Sequence, residues 1–269
     1  MNEQTIREYI RKRDIYSPHV ADLPDGKVFI KSGDEGSLSC EAEGLETIRA
    51  TGKIYVPEIL LADEVDGRFY LATQYIEDGG LPRYEEFGRN LAMMHMADAE
   101  EFGFPHDNYI GAGYQVNTHH DTWISFFREC RLRVQFERAE RYFVGTGYEE
   151  RFNSLLKELD SILCEPEYPS LLHGDLWGGN YVNGPGGHIY LIDPAVYYGH
   201  READMAMTEL FGGFPESFYR GYHEVIPEEP GYRERRDVYN LYHLLNHLNI
   251  FGSGYLGSVK AVIDRYTRR

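Results

Sequence analysis

One stretch constrains this chain more than any other. It is His173-Gly174-Asp175-Leu176-Trp177-Gly178-Gly179-Asn180, followed thirteen residues later by Asp193 at the end of the run Ile189-Tyr190-Leu191-Ile192. Leu171-Leu172-His173, Tyr181-Val182 and Ile189 to Asp193 read as short strands around glycine-rich turns, so polar groups gather at strand ends. Asp, Asn and Gly are also common turn formers, and an Asp and an Asn five apart occur in many loops. The chemistry of this set is more particular. Carboxylate and amide oxygens suit a hard divalent cation, and a positioned carboxylate can accept or orient a hydroxyl proton.

At 269 residues the chain is long for one core and comfortable for two lobes. With 42% hydrophobic and 26% charged residues it has the composition of an ordinary globular protein. The formal net charge of -17 argues against a nucleic-acid or anionic-membrane surface, both of which demand basic patches. The N-terminal MNEQTIREYIRKRD lacks the apolar core of a signal peptide and no run of 18 apolar residues occurs, which makes the cytoplasm the expected location. Cys40, Cys130 and Cys164 are far apart and suggest reduced thiols rather than a disulfide framework or zinc site. The pattern changes near residue 77. Before it, Lys27-Val28-Phe29-Ile30-Lys31 and Phe69 to Ile76 read as strands bracketing one helical stretch. After it, Phe152, Leu155, Leu156, Leu159 and Leu163, then Val238, Leu241, Leu245 and Leu248, mark helices. The expectation is an α+β fold with a small β-rich lobe over 1–76, one main helix in it, and a larger, mostly helical lobe over 77–269.

The loop gains meaning from what precedes it. The Asp-x-x-x-x-Asn spacing, with a later Asp closing a strand, is that of a protein-kinase catalytic loop, with Asp175 as base and Asn180 and Asp193 as magnesium ligands. Upstream, Lys31 ends a strand where kinases carry the lysine that contacts the α and β phosphates. Its acidic partner is Glu41 or Glu43, in the helical stretch from about Leu38 to Arg49. At about 100° per residue Glu41 shares a face with Leu38, Leu45 and Ile48, whereas Glu43 points roughly 200° away, so Glu41 is the one aimed inward. One part is missing. Kinases cover the phosphates with a glycine-rich hairpin, yet the first glycine here is Gly26, and Ser17-Pro18-His19 stands where that turn would be.

These residues resemble the fructosamine kinase (ketosamine 3-kinase) family, related in fold to aminoglycoside phosphotransferases and choline kinases. The resemblance runs from about Lys27 onward. It is strongest in Leu172 to Asn180, in Ile192-Asp193-Pro194-Ala195 continuing through Tyr197-Tyr198-Gly199-His200-Arg201-Glu202-Ala203-Asp204 to Phe214, and in Leu241 to Asn249. It implies transfer of the γ-phosphate of ATP, with Mg2+, to the 3-hydroxyl of a ketosamine, either a free amine adduct or a glycated protein. By the same resemblance Gln74, Tyr75 and Ile76 form a hinge offering backbone groups to adenine. Trp177 lines the sugar pocket or, alternatively, braces the loop as a core aromatic. His200, Arg201 and Asp204 support the loop or approach the substrate, and His173 braces the catalytic loop. His243, Asn246 and His247 stand at i, i+3 and i+4 of a helix, close enough to share a ligand, without a third residue at zinc-like spacing.

Two other classes of reading stay open at this stage. A kinase of the same fold could take an aminoglycoside, choline or a sugar, and a non-catalytic module could use the cleft for ligand recognition alone. A metal-dependent hydrolase would need more carboxylate or histidine ligands than this sequence assembles.

Overall fold

The structure, a computed structural model, describes residues 2–13, 15 and 18–267. In chain order its elements are α1 (Glu3–Arg11), β1 (His19–Leu23), β2 (Gly26–Gly33), α2 (Glu35–Ala50), β3 (Ile59–Val65), β4 (Arg68–Gln74) and α3 (Tyr84–His95). There follow β5 (Asn108–Ile110), β6 (Gly113–Gln115), and a helical run made of α4 (Trp123–Phe126), a π-helical stretch (Phe127–Arg133) and α5 (Val134–Arg138). Then come α6 (Tyr148–Ile162), β7 (Ser170–Leu172), β8 (Tyr181–Asn183), β9 (Ile189–Leu191), β10 (Tyr197–Gly199), α7 (Glu202–Leu210), α8 (Glu216–Val225), α9 (Tyr232–Phe251) and α10 (Leu256–Thr267). The chain forms two compact units. The first comprises Met1–Met94, Gly178–Ala195 and Pro215–Ile226, and the second His95–Trp177, Val196–Phe214 and Pro227–Arg269. Among the described residues no helix is long and apolar enough to cross a membrane.

The first unit carries an antiparallel sheet in the order β1-β2-β4-β3. Side chains alternate across a strand, and β2 uses both faces. Val28 and Ile30 enter a core with Ile6, Ile10, Ala21, Leu61 and Ala72, while Phe29 and Lys31 lie on the other face. Ile6 and Ile10, one turn apart, supply the apolar face of α1, and the Asn2 side chain caps that helix by accepting from the Gln4 amide at 2.9 Å. This helix is an addition to the one main helix expected, because two aliphatic residues in a charged segment are a faint signal. On the other face of the sheet, α2 packs Leu38 and Ala42 against Leu71. Asp34 caps α2 through the Ser37 amide at 2.9 Å. The β8–β9 hairpin and the α3 and α8 helices complete this unit.

The second unit is mostly helical. In α6 the buried side is Phe152, Leu155, Leu156 and Leu159. The α9 helix is buried almost all round, with Tyr239, Asn240, Tyr242, His243 and Asn246 as well as its leucines enclosed. A helix buried on every side must satisfy its polar groups internally. Several are paired in this way: Asn240 Nδ2 donates to the Ala206 carbonyl at 2.9 Å, Tyr242 donates to Gln115 at 2.7 Å, and Asn246 accepts from Gln135 at 3.2 Å, while the Tyr239 hydroxyl, Asn240 Oδ1 and His243 Nδ1 are enclosed without a hydrogen bond among the described residues. β7 pairs with β10 antiparallel beneath the loop that begins at His173.

Candidate active site

In the first unit the alternation of β2 sends Phe29 and Lys31 into a cavity of about 260 Å3. Leu45, Pro57, Thr73, Val182 and Ile192 also line it, as do Gln74, Tyr75, Ile76, Glu41 and Asp193. Most of this wall is apolar, and the charged groups converge on one cation. Lys31 Nζ donates to both carboxylate oxygens of Glu41, at 2.8 and 2.9 Å, and to Asp193 Oδ1. Glu43 is exposed on the opposite side of α2. Burial acts to lower the pKa of Lys31, but the charges of Glu41 and Asp193 outweigh it and hold the ammonium above its ordinary value. Burial and the charge of Asp193 in turn push the Glu41 carboxyl up against the pull of Lys31. A fixed ammonium at the end of an apolar slot suits a flat ring bearing a polyanionic tail. Gln74, the last residue of β4, spends its amide on the Glu58 carbonyl at 2.8 Å, and Tyr75 and Ile76 follow it along the cavity wall.

The β8–β9 hairpin places the two candidate metal ligands. Tyr181 pairs with Leu191, and Asn180 and Asp193 lie just outside that pair at the hairpin's open end, where the Ile192 amide donates to the Asn180 carbonyl at 3.0 Å. Asp193 adopts a left-handed backbone with φ of 53°. A non-glycine residue seldom holds this conformation unless its surroundings demand it. An amide oxygen and a carboxylate at one hairpin end are the hard donors that Mg2+ prefers, so this part of the chain fits that ion.

Where a phosphate cover is expected, the described residues do not form a glycine-rich hairpin turn. β1 and β2 do form a hairpin, but its turn lies between Leu23 and Gly26, whereas Lys31 sits past the His19–Ile30 pair at the opposite end. On the strand end that carries Lys31, the Ile15 carbonyl accepts from Ser32 Oγ at 2.7 Å. Of the triplet Ser17-Pro18-His19, Ser17 lies outside the described residues. His19 opens β1, with its Nε2 2.9 Å from the Tyr9 hydroxyl.

In the second unit β7 delivers the loop. Gly174 turns it with φ of 82°, a left-handed conformation that a side chain would strain. Leu176 is fully buried and anchors the loop, which leaves Trp177 turned outward and 37% exposed. Asp175 is half-buried, and its amide donates to His173 Nδ1 at 3.3 Å, so that nitrogen serves as an acceptor. Asp204, in the first turn of α7, accepts from the His173 amide at 2.7 Å and the Gly174 amide at 2.9 Å and lies 3.1 Å from His95 Nε2. Burial alone would raise the pKa of this carboxyl, but the hydrogen bond and charge of His95, the charge of His173 and the Gly174 amide hold it below its ordinary range. His95 escaped the sequence reading, because nothing about a histidine ending a helix shows that its ring is buried.

His200 is fully enclosed by Trp123, Tyr239 and Cys164. Burial, with Arg201 and Arg235 nearby, keeps it uncharged, its pKa far below the ordinary value. Arg201 pairs with Glu229. Cys164, His200 and Glu229 bring a thiol, an imidazole nitrogen and a carboxylate within 4.8 Å of one another. The Glu202 amide, however, donates to His200 Nδ1 at 3.2 Å, so the neutral ring keeps its proton on Nε2, the nitrogen 3.6 Å from Cys164 Sγ. Hydrogen bonds therefore occupy these donors, and the set is not arranged for a cation. On α9, Asn246 turns to Gln135 while the His247 ring packs on Phe211 and Phe251, so His243, Asn246 and His247 do not converge on one ligand.

Residues 6–269 match the family model described as "Fructosamine kinase". A Vibrio parahaemolyticus protein named probable ketoamine kinase is 39% identical over 272 residues, 98% of this chain and 93% of the relative. The chloroplastic protein-ribulosamine 3-kinase of Arabidopsis thaliana is 41% identical, over 90% of this chain and 77% of the relative. The crystal structure of a Thermobifida fusca protein assigned as a fructosamine-3-kinase superposes with a TM-score of 0.85 at 30% identity, covering 100% of both chains. The α+β, kinase-like fold class expected from sequence is thus the fold observed.

Proposed function

The chain belongs to the fructosamine kinase family, and from that premise we propose that it transfers the γ-phosphate of ATP to the 3-hydroxyl of a ketosamine, free or protein-bound. The observation that carries this reading is the Lys31 ammonium, braced by Glu41 and Asp193 at the end of an apolar cavity. In it the adenine lies against Phe29, Leu45 and Ile192 near Gln74, Tyr75 and Ile76, and Lys31 meets the phosphates. Asn180 and Asp193 hold Mg2+, which when bound neutralises charge on the phosphates. The first unit is the nucleotide side of the reaction.

Asp175 accepts or orients the proton of the acceptor hydroxyl. Asp204 holds the His173 and Gly174 amides and His173 Nδ1 accepts from the Asp175 amide, so the loop that carries the carboxylate is held before the proton moves. Trp177 presents an exposed ring to the apolar face of the sugar. The enclosure of His200 favours the supporting role over contact with the acceptor, and Arg201 and Asp204 support the same region.

The test is a coupled assay with ATP, Mg2+ and a fructosamine. Loss of the base typically costs roughly 10² to 10⁴ in rate, so Asp175→Ala should lose about that much in kcat with its thermal stability kept. Full turnover by Asp175→Ala, or none by the intact protein, would sink the proposal. A panel including an aminoglycoside, choline and free fructose separates this reading from a kinase of the same fold with another acceptor.

A further inference from the structure

Trp177 does not stand alone. In the second unit its ring meets Phe211 edge-on at 6.1 Å, Phe211 packs on His247 at 4.9 Å, and His247 contacts Phe251 at 5.3 Å and Tyr255 at 5.1 Å. These rings come from the catalytic loop, the end of α7, α9 and the turn after it, and together they make one continuous strip. Its members are not core. Trp177 is 37%, Phe211 36% and Phe251 66% exposed, and His247 and Tyr255 are half-buried. A connected aromatic surface beginning two residues from Asp175 marks a binding face, because single exposed rings scatter whereas linked ones persist where something covers them.

We propose that this strip binds the amine-bearing half of the acceptor, an aliphatic chain carrying the protonated secondary amine of the ketosamine, with the sugar half held at Trp177. The proposal rests on the ketosamine kinase reading and adds to it which part of the substrate is read. Three observations point to this occupant. The strip is continuous with Trp177. Ring faces attract an ammonium and cover methylenes at the same time, and phosphate or carboxylate groups gain nothing from them. The strip's one titratable nitrogen heterocycle, His247, is kept uncharged at neutral pH chiefly by burial, so it does not repel a cation, while the chain's net charge of -17 draws one in. The amine half therefore contributes to affinity, and an acceptor with a bulky apolar or lysine-like amine is preferred over one with a minimal amine.

The chain has two tryptophans, and Trp123 is fully buried, so quenching of intrinsic fluorescence by ligand reports on Trp177. Fructose adducts of methylamine and of n-hexylamine are titrated against the full-length protein by fluorescence and assayed in parallel for phosphorylation. Partial cover of five extra methylenes is expected to tighten binding of the hexylamine adduct about 10-fold. In Phe251→Ala and Tyr255→Ala the ratio of hexylamine-adduct to methylamine-adduct affinity falls toward one, with the thermal unfolding midpoint kept. Equal affinity of the two adducts in the wild type, or a preference that survives both substitutions, overturns the proposal. Preferential binding without phosphorylation removes the kinase reading and leaves the strip standing, and phosphorylation without preference does the reverse.

Discussion

Asp204 shows how much a single residue can carry. Its carboxylate, 2% exposed, accepts from two backbone amides of the loop that begins at His173 and contacts a buried histidine. Hydrogen bonds to a charged group contribute about 1.5–3 kcal/mol each, and breaking a buried charged set costs more because its partners stay desolvated. Asp204→Asn keeps the shape but turns one acceptor into a donor facing an amide. It should destabilise the protein by about 3 kcal/mol, a fall of roughly 6–12 °C in Tm by thermal denaturation. An unchanged Tm would show that the loop is held by other contacts. The residue was legible as a supporting one through its place after the second aspartate. Its partners were not, because His95 lies more than a hundred residues away in sequence. Glu41 is a contrasting case, since helix phase alone separates it from Glu43 and the structure pairs it with Lys31.

Elements were easier to read than their partners. The three short strands between 171 and 193 are present, but β7 pairs with β10 in the second unit, while β8 and β9 form a hairpin in the first. Pairing depends on which chain segment comes alongside, and strand periodicity is silent about that. Helix contacts carry the same lesson in α3 and α8. A Cβ added at Gly88 would lie 2.1 Å from the Phe218 carbonyl oxygen, and one at Gly221 would lie 2.0 Å from that of Glu85. The two helices therefore touch backbone to backbone at reciprocal glycines. Gly88→Ala must push them apart against a close-packed interior, so it should destabilise by about 1–3 kcal/mol despite the better helix propensity of alanine. Urea denaturation measures this, and a stabilised variant would show that the contact is soft.

Over the whole molecule, polar groups closed off from water make stability depend on pH. Burial, then the neighbouring His247, lowers the pKa of His243 from 6.5 to about 3, and burial lowers His200 as well. The unfolded chain takes up these protons below about pH 6.5, while the folded chain does not take up the His243 proton until about pH 3. The stability from keeping them neutral is therefore present in full above about 6.5 and is lost as the pH falls. Each histidine contributes a slope of about 1.4 kcal/mol per pH unit. The urea midpoint should drop steeply between pH 7 and 5, and His243→Gln should flatten that slope by about one proton. An unaltered slope in the variant would exclude His243 as a source.

The sequence by itself determined the motif from His173 to Asn180, the alternation that puts Lys31 and Phe29 on one face of a strand, the inward phase of Glu41 and the family, because spacing and period are local properties. Only the tertiary structure decided the rest. It joined His95 to Asp204, enclosed His200, separated Asn246 from His247, turned the β1–β2 hairpin away from Lys31 and linked Trp177 to Phe251 in one aromatic strip. Most of these are contacts between segments far apart in the chain, and burial and pKa follow from what surrounds a group rather than from its neighbours in sequence.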